Sequence, residues 1–257
     1  MTAAAALLDQ DEPPPYERFN PEGAAPILLI CDHASRRVPR RLHDLGLSAG
    51  ELSRHIGWDI GAADVTRHMA MRLGAPALLA GYSRLVVDCN RHLHDPTSMP
   101  PVSDGTLIPG NATLAPADRQ ARTDALYEPY HRAIAQWLDA FAGRGIAPTL
   151  LAIHSCTPEM GGRFRPWHIG ICCDFDRRIA GPVLEALGRV PDLVVGDNQP
   201  YNLDPHEDYS VPVHAVRRGL PHLQVEFRQD LVATPAGAAR LADALLAALP
   251  RAVAQPS

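Results

Sequence analysis

The sequence predicts an α/β protein with three layers, in which a mixed, mostly parallel central sheet lies between helices on both faces. Short apolar runs alternate along the chain with helical patterns. The apolar runs are continuous, which is typical of parallel strands that are buried on both faces. No internal repeat or linker interrupts residues 27–250, so we predict a single domain over 27–257 after an extended arm over 1–26.

The individual elements follow from apolar runs and from helix-terminating residues. Ser48 and Glu51 are spaced as a capping box, and Gly74 suits the left-handed position that ends a helix. Pro129 should kink or split the long helix in which it lies. The predicted strands are 27–31, 85–88, 149–153, 168–172, 193–195 and 223–227, and the predicted helices are 61–73, 116–142, 176–187 and 235–249.

Composition excludes several classes of function. The net charge of −5 is spread along the chain, and no basic stripe with interleaved aromatic residues predicts nucleic-acid binding. No apolar run is long enough to cross a membrane, and the N-terminus lacks the positive segment of a signal peptide. An odd number of cysteines, five, favours reduced thiols and a cytoplasmic protein. The oligomeric state stays open.

Polar residues follow four of the predicted strands at their carboxyl ends, where open α/β sheets bind ligands. These residues are His33, the pair Asn90 and Arg91, His154 and Glu226. Two histidines and a carboxylate suffice for a catalytic zinc with one position left for water. A second carboxylate can act as general base, and an Asn-Arg pair can hold a substrate carboxylate. The strand ends therefore predict hydrolysis of a small acidic amide.

Each of these residues also has a structural interpretation. A single histidine at a strand end is more often structural than a ligand. Asp88 could cap a turn or pair with a nearby arginine. Glu226 could form an ion pair within its strand, although a charge inside an apolar strand is rarely buried without a partner. Two polar loops, 89–115 and 196–221, are long enough to suggest a functional role.

At these residues the chain resembles the N-formylglutamate amidohydrolase family, in its amidohydrolase-like branch, from about Ile27 to Leu231. The resemblance rests on eight blocks in the same order: CDHASRRVP, IGWDIGAADVTRHMA, YSRLVVDCNR, VSDGTLIPGN, AIHSCTPEM, PWHIGI, VGDNQPYN and VPVHAVRRGLPHLQVEFRQDL. The family is similar in fold to zinc carboxypeptidases and aspartoacylases. The resemblance implies a hydrolase that releases formate from N-formyl-L-glutamate, or the acyl group from another small N-acyl amino acid.

The resemblance also implies a metal site that holds one zinc ion per chain. His33 and His154 correspond to two zinc ligands, and Asp59 in the GWDIGA block is the expected third ligand. Asp32 is a lesser candidate, because neighbouring side chains on an extended segment point in opposite directions. Where the family more often has PHAG or PHTG, this chain has DHAS, which leaves the exact acyl amino acid open.

Further site residues are expected from the resemblance and from the chemistry of the residues near the strand ends. Asn90 and Arg91 are expected to hold the α-carboxylate of the substrate, and Glu226 to act as general base. Arg84 is expected at the oxyanion or at the substrate side chain, because Arg suits both tasks. Two further substrate contacts are expected at His214 and Arg228.

Other histidines and two alternative functions complete the predictions. His222 is as consistent with a structural role as with a place in the site, and His92 and His94 are expected on a loop surface. One alternative is a cysteine hydrolase that uses Cys156 or Cys31 beside a histidine. The other is a non-catalytic protein that binds a small acidic ligand on the same fold.

Overall fold

The computed structural model describes residues 6–250. Its centre is a seven-stranded sheet in the order β1-β3-β2-β6-β11-β9-β10. The strands are β1 (Tyr16–Phe19), β2 (Ile27–Cys31), β3 (Ala77–Ala80), β6 (Thr149–Cys156), β9 (Ile169–Cys172), β10 (Val195–Asp197) and β11 (His222–Arg228). The strands β3, β2, β6 and β11 run parallel to one another, whereas β1 and the β9–β10 pair run antiparallel to their neighbours. The sheet is therefore mixed and mostly parallel, as predicted.

Helices cover both faces of this sheet. Successive residues of a strand point to opposite sides, so an apolar strand needs a packing partner on each face. Ile27 and Leu29 pack with α2 (Ala62–Leu73), α5 (Ala180–Leu187) and α8 (Pro235–Ala248). Leu28 and Ile30, one residue away from these positions, pack on the other face with α4 (Glu128–Gly143) and α6 (Ser210–His214). The continuous apolar character of β2 follows from this double burial, which confirms the predicted three layers.

The remaining elements are short. They are the helices α1 (Ala49–Leu52), α3 (Pro116–Arg122) and α7 (Gln229–Val232), and the two-residue strands β4 (Val102–Ser103), β5 (Thr106–Leu107), β7 (Glu159–Met160) and β8 (Arg163–Phe164). The last four strands form two hairpins, β4–β5 and β7–β8. No helix of the described chain has both the length and the apolar character that a bilayer crossing requires.

Local signals located several helix ends correctly. The capping box at Ser48 and Glu51 forms, and Gly74 ends α2 in the left-handed conformation at φ 62°. The predicted helix over 116–142 is divided into α3, a π-helical segment (Thr123–Tyr127) and α4. Pro129 lies in the first turn of α4, directly after the π-helical segment, so the predicted helix is divided next to this proline, as expected.

The strand predicted over 85–88 is wrong. Residues 84–86 form a buried turn, in which the Ser83 hydroxyl accepts from the Leu85 N–H and the Ser83 carbonyl accepts from the Val86 N–H. The strand in this part of the chain is β3, which begins at Ala77, eight residues before the predicted start at Leu85. Leu85 and Val86 are buried in a separate apolar cluster beside the sheet, so continuous burial at this point does not indicate a strand.

The predicted N-terminal arm is partly built into the fold. Its residues Tyr16–Phe19 pair with β3 and form the edge of the sheet, and Pro15 accepts a hydrogen bond from the backbone of Gly81. The first five residues of the predicted arm lie outside the described residues. The division of the chain at residue 26 stays a prediction.

The loop after the buried turn is held by one buried arginine. Arg122, at the end of α3, donates to the Val86 carbonyl at 3.0 Å, to Asn111 Oδ1 at 2.6 Å and to the Gly110 carbonyl at 2.9 Å. Burial lowers the pKa of this guanidinium to about 10. All three acceptors are neutral, so Arg122 fixes the loop without an ion pair to any carboxylate of residues 6–250.

We expect Arg122→Met to lower the free energy of unfolding by about 2–4 kcal/mol, because it leaves several buried acceptors without partners. Urea unfolding followed by circular dichroism measures this change. Arg132→Met, at an exposed position of α4, is the matched control and should change the stability by less than about 0.5 kcal/mol. Equal effects of the two substitutions would contradict the role of Arg122.

Candidate metal centre

A cleft opens at the carboxyl ends of β2, β6 and β11. Its volume is about 680 Å³, which lies in the usual range for a small-molecule site. Side chains from the sheet form the floor, and the loop 89–115 and the β7–β8 hairpin contribute residues to its walls. Ligands bind at this edge in open α/β sheets, so the location agrees with the predicted position of the site.

The strands bring His33, His154 and Glu226 together at the floor. His33 follows β2, and His154 lies in β6 directly beside Glu226 of β11 in the parallel register. Asp59 lies just before α2, and its backbone N–H donates to the His33 carbonyl at 2.9 Å. Each of these four side chains is buried, with at most 8% of its residue surface exposed.

One oxygen of Asp59 contacts both histidines of the centre. Asp59 Oδ2 lies 3.2 Å from His33 Nδ1 and 3.1 Å from His154 Nδ1. It also accepts from the Ser155 N–H at 3.2 Å. Ligand atoms of the two histidines and Asp59 all lie within 4.8 Å of one another, which is close enough to hold one metal ion.

A carboxylate faces the far nitrogen of each imidazole. Asp88 Oδ1 lies 2.7 Å from His33 Nε2, and Asp32 Oδ2 lies 3.4 Å from His154 Nε2. Carboxylates in these positions orient metal-binding histidines and fix their tautomer. Asp32, the lesser candidate for the third ligand, thus lies behind His154 and accepts from the Ser210 hydroxyl at 2.8 Å.

The charges at the floor also fit a divalent cation. Four carboxylates, from Asp32, Asp59, Asp88 and Glu226, are buried at the floor, and among the described residues Arg84 is the arginine that forms ion pairs with this group. Such a group of buried carboxylates is costly unless positive charge compensates it. Either protons on the two imidazoles or one divalent cation restores most of the balance, and only the cation leaves the imidazole nitrogens free as ligands.

Without a cation, the histidines take over this compensation. Burial and the charge of Arg84 lower the pKa of His33, but Asp88 and Asp59 outweigh both and raise it. Burial likewise opposes protonation of His154, but the facing carboxylates of Asp32 and Asp59 raise its pKa well above the ordinary value. Both imidazoles therefore already interact strongly with the carboxylates that would accompany a metal.

Glu226 differs from the other three carboxylates. Burial raises its pKa to about 7, although the nearby charge of His154 works in the opposite direction. Its Oε2 atom is buried and has no hydrogen-bond partner within the described chain. A carboxyl group with a pKa near neutrality can both accept and return a proton, as a general base and acid must.

Arg84, Asn90 and Arg91 all line the cleft. Arg84 is ion-paired with Asp88 at 2.7 Å and contacts Asp59 at 3.4 Å, so it supports the metal centre. Asn90 donates to Asp208 and accepts from two backbone N–H groups, which leaves one amide hydrogen for the cleft.

The guanidinium of Arg91 is only weakly restrained. It donates to the Asn90 carbonyl at 2.9 Å and reaches Asp208 at 3.5 Å. Its remaining N–H groups can therefore contact a ligand in the cleft. This arrangement is compatible with the predicted binding of a substrate carboxylate.

The structure does not bring His214 and Arg228 to the cleft. The two rings of His214 and His131 stack at 19°, with His131 Nδ1 and His214 Nε2 3.0 Å apart, in a buried position. Arg228 donates to Asp230 and to the carbonyls of Arg165 and Pro166. Both side chains are thus used in packing, and the predicted substrate contacts are not supported.

Two other histidine predictions can be compared with the structure. His222 is buried beside Asp174, with Nε2 and Oδ1 3.3 Å apart, so its position is structural. His92 lies on a loop and pairs with the Pro205 carbonyl, and its ring lies 5.3 Å from that of His94. Neither arrangement forms a second metal cluster among the described residues.

Sequence reasoning gave no specific role to three residues that shape the cleft. From the sequence, Asp88 has only a structural interpretation, although its position after an apolar run and before Asn90 is a usable signal. Arg165 and Tyr201 line the same cleft and contact each other through the guanidinium and the phenol oxygen at 2.8 Å. They lie in separate loops, and no local pattern relates them.

The thiols do not suit nucleophilic catalysis. Burial is the main factor that raises the pKa of Cys31 and that of Cys156, and Asp59 and Glu226 respectively raise them further. A catalytic cysteine requires the opposite environment, since the thiolate is the nucleophile. The cysteine-hydrolase alternative is therefore not supported.

Comparisons with known proteins agree with this description. The family model for N-formylglutamate amidohydrolase matches residues 25–233, which confirms the resemblance seen in the sequence blocks. No protein with a curated description matches the sequence. The relation to zinc carboxypeptidases and aspartoacylases stays a prediction.

Two solved structures are similar to the chain. The crystal structure of gene product Atu2144 from Agrobacterium tumefaciens is 36% identical, with a TM-score of 0.89, over 92% of this chain and 94% of that one. N-formylglutamate amidohydrolase from Ralstonia eutropha JMP134 is 22% identical, with a TM-score of 0.65, over 91% and 95%. The second comparison shows the fold alone.

We expect the purified protein to bind one zinc ion per chain, and His154→Ala to abolish this binding. Asp88→Asn should weaken zinc binding about 10–100-fold, because it removes the carboxylate behind His33. Metal analysis and competition with a chelator measure both effects. Asp139→Asn, at an exposed carboxylate on α4, is the control. Unchanged zinc affinity in His154→Ala would contradict the assigned centre.

The buried pair His131 and His214 predicts a loss of stability in acid. Burial lowers the pKa of His131 to about 3 and that of His214 to about 4, despite the nearby charge of Asp32. Their ordinary value is 6.5, so the unfolded chain takes up protons that the folded protein does not. The stabilisation is complete above this value and is lost as the pH falls toward the folded pKa values.

At about pH 5 each histidine should cost about 2 kcal/mol of stability relative to about pH 7.5. Between these two pH values the unsubstituted protein should lose stability at both histidines, whereas His131→Phe should lose it only at His214. The loss in the variant should therefore be smaller by about 2 kcal/mol. Urea unfolding of both proteins at the two pH values, with chelator present, measures the difference. Identical pH dependence in the two proteins would show that His131 is protonated in the folded state.

Proposed function

Because this chain belongs to the N-formylglutamate amidohydrolase family, we propose that it hydrolyses the amide bond of a small N-acyl amino acid, with N-formyl-L-glutamate as the first candidate. The products would be L-glutamate and formate. The observation that carries the proposal is the convergence of His33, His154 and Asp59 beside the unpartnered carboxyl of Glu226. The five buried, free cysteines favour a reaction in the cytoplasm.

We assign His33, Asp59 and His154 as the ligands of one zinc ion. A set of two histidines and one carboxylate leaves a coordination position open and is typical of catalytic zinc. When bound, zinc supplies a Lewis acid that polarises a carbonyl oxygen and lowers the pKa of water. Asp88 and Asp32 hold the two imidazoles in the orientation that presents Nδ1 to Asp59.

Glu226 is the residue that moves the proton. Its carboxylate takes a proton from the attacking water as the new C–O bond forms at the acyl carbon. It then delivers that proton to the amide nitrogen, and the C–N bond breaks to give the amine and the acid. The pKa of about 7 suits both transfers, and Oε2 has no competing partner among the described residues.

The arginines supply the complementary positive charge. Arg84 is fixed by Asp88 and Asp59, so it remains oriented at the floor without substrate. Arg91 and Asn90 line the wall of the cleft, and we assign the α-carboxylate to Arg91 and to the free amide hydrogen of Asn90. Binding this group fixes the distance between the acyl carbon and the metal centre, and positioning of this kind lowers the barrier.

We expect the zinc-loaded protein to hydrolyse N-formyl-L-glutamate, and Glu226→Gln to lower kcat by about 10²–10⁴-fold. The amide keeps the shape of the side chain but cannot accept the proton from water. Formate release and amine release measure the rate, and zinc content shows that the centre is intact.

Glu185→Gln is the matched control, because Glu185 is exposed on α5 and outside the cleft. Its kcat should stay within about twofold of that of the unsubstituted protein. Full activity in Glu226→Gln would remove Glu226 from the mechanism. A lack of turnover of every N-acyl amino acid by the zinc-loaded protein would overturn the proposed function.

A further inference from the structure

One arginine in the cleft lacks a counter-ion. Arg165 donates to Thr157 Oγ1 at 3.3 Å, to Met160 Sδ at 3.1 Å and to Tyr201 OH at 2.8 Å. These acceptors are neutral, and Arg165 forms no ion pair with a carboxylate among residues 6–250. The two other arginines that line the cleft, Arg84 and Arg91, both contact aspartates. A guanidinium has five N–H donors, so Arg165 keeps free donors for a ligand.

Arg165 and Arg91 are held by different segments of the cleft. Arg91 contacts the carboxylate of Asp208. Arg165 contacts Thr157, just beyond the end of β6, and Tyr201 in a separate loop. A ligand in the cleft can therefore meet cations from two separate segments.

The structure holds Arg165 in place before any ligand binds. Arg228 donates to the Arg165 carbonyl at 3.3 Å, and the Arg165 N–H donates to the Pro158 carbonyl at 2.8 Å. The guanidinium lies over the Tyr201 ring at 4.8 Å. A cation whose backbone and guanidinium are both restrained loses little freedom when it binds an anion.

The loop that carries Tyr201 is also restrained. The Gln199 carbonyl packs directly on Gly170 of β9 and on Gly196 of β10, where any side chain atom would collide with it. This contact ties the start of the loop to the sheet two residues before Tyr201. Arg165, Tyr201 and Thr157 thus form a preformed polar corner of the cleft.

We propose that Arg165, together with Tyr201, binds the side-chain carboxylate of the substrate. The inference rests on the proposed function and assigns the residues that would recognise the second carboxylate of its first candidate, N-formyl-L-glutamate. Arg91 then takes the α-carboxylate, and the scissile amide lies between the two arginines at the metal centre. Planar, bidentate recognition of a carboxylate is the interaction for which Arg is best suited.

The test compares N-formyl-L-glutamate with N-formyl-L-glutamine, which has the same shape and a neutral side chain. We expect the unsubstituted protein to prefer the first substrate. Arg165→Met should lower kcat/KM for N-formyl-L-glutamate about 10–100-fold and change it less than about threefold for N-formyl-L-glutamine. Arg165→Lys should retain part of the preference, because it keeps the charge and loses the bidentate geometry. Arg163→Met, at an exposed position of the same hairpin, should retain the full preference.

Two outcomes overturn the inference while the proposed function stands. In one, Arg165→Met lowers kcat/KM equally for both substrates, which would indicate a structural role. In the other, it changes neither. Turnover of other N-acyl amino acids but of neither of these two would also overturn the inference. If the zinc-loaded protein turns over no N-acyl amino acid, the proposed function fails, and calorimetry then tests the binding of a carboxylate at Arg165 directly. Glutarate should bind at least tenfold more tightly than glutaramate, and Arg165→Met should remove this difference; equal binding of the two compounds would overturn the assignment.

Discussion

The site depends on one buried carboxylate oxygen that two imidazoles share. Asp59 Oδ2 contacts His33, His154 and the backbone N–H of Ser155, so it joins the segments that follow β2, lie in β6 and precede α2. An ionised oxygen at this depth is tolerated only where several donors or a cation surround it. The same requirement that holds these segments together creates a place for a metal.

The register of the sheet gives the centre its geometry. His154 and Glu226 are direct neighbours across β6 and β11, and a shift of one residue would turn one of them to the opposite face. Asp88 and Arg84 come from the buried turn beside the sheet, where Arg122 and Asn111 hold the backbone through the Val86 and Leu85 carbonyls. The sheet thus fixes His154 and Glu226, and the buried turn beside it fixes Asp88 and Arg84, which orient the centre.

The sequence was sufficient to locate those side chains of the cleft that lie at the end of a strand. His33, His154 and Glu226 could be located because each follows or ends an apolar run. The strand assigned to 85–88 failed because burial in a loop cluster produces the same apolar run as burial in a sheet. Arg165 and Tyr201 could not be paired from the sequence, since their contact depends on how two separate loops close over the sheet.

The distribution of charge in the cleft favours a catalytic over a structural interpretation. Buried carboxylates that served stability alone could be replaced by apolar residues of similar volume at little cost or even with a gain. Here four of them lie at the floor of an open cleft, and arginines stand around them at its walls. The negative floor attracts a cation, and the positive walls attract an anionic ligand toward it. This pattern would allow a protein with a net charge of −5 to bind the proposed substrate, an acidic amide, close to its own carboxylates.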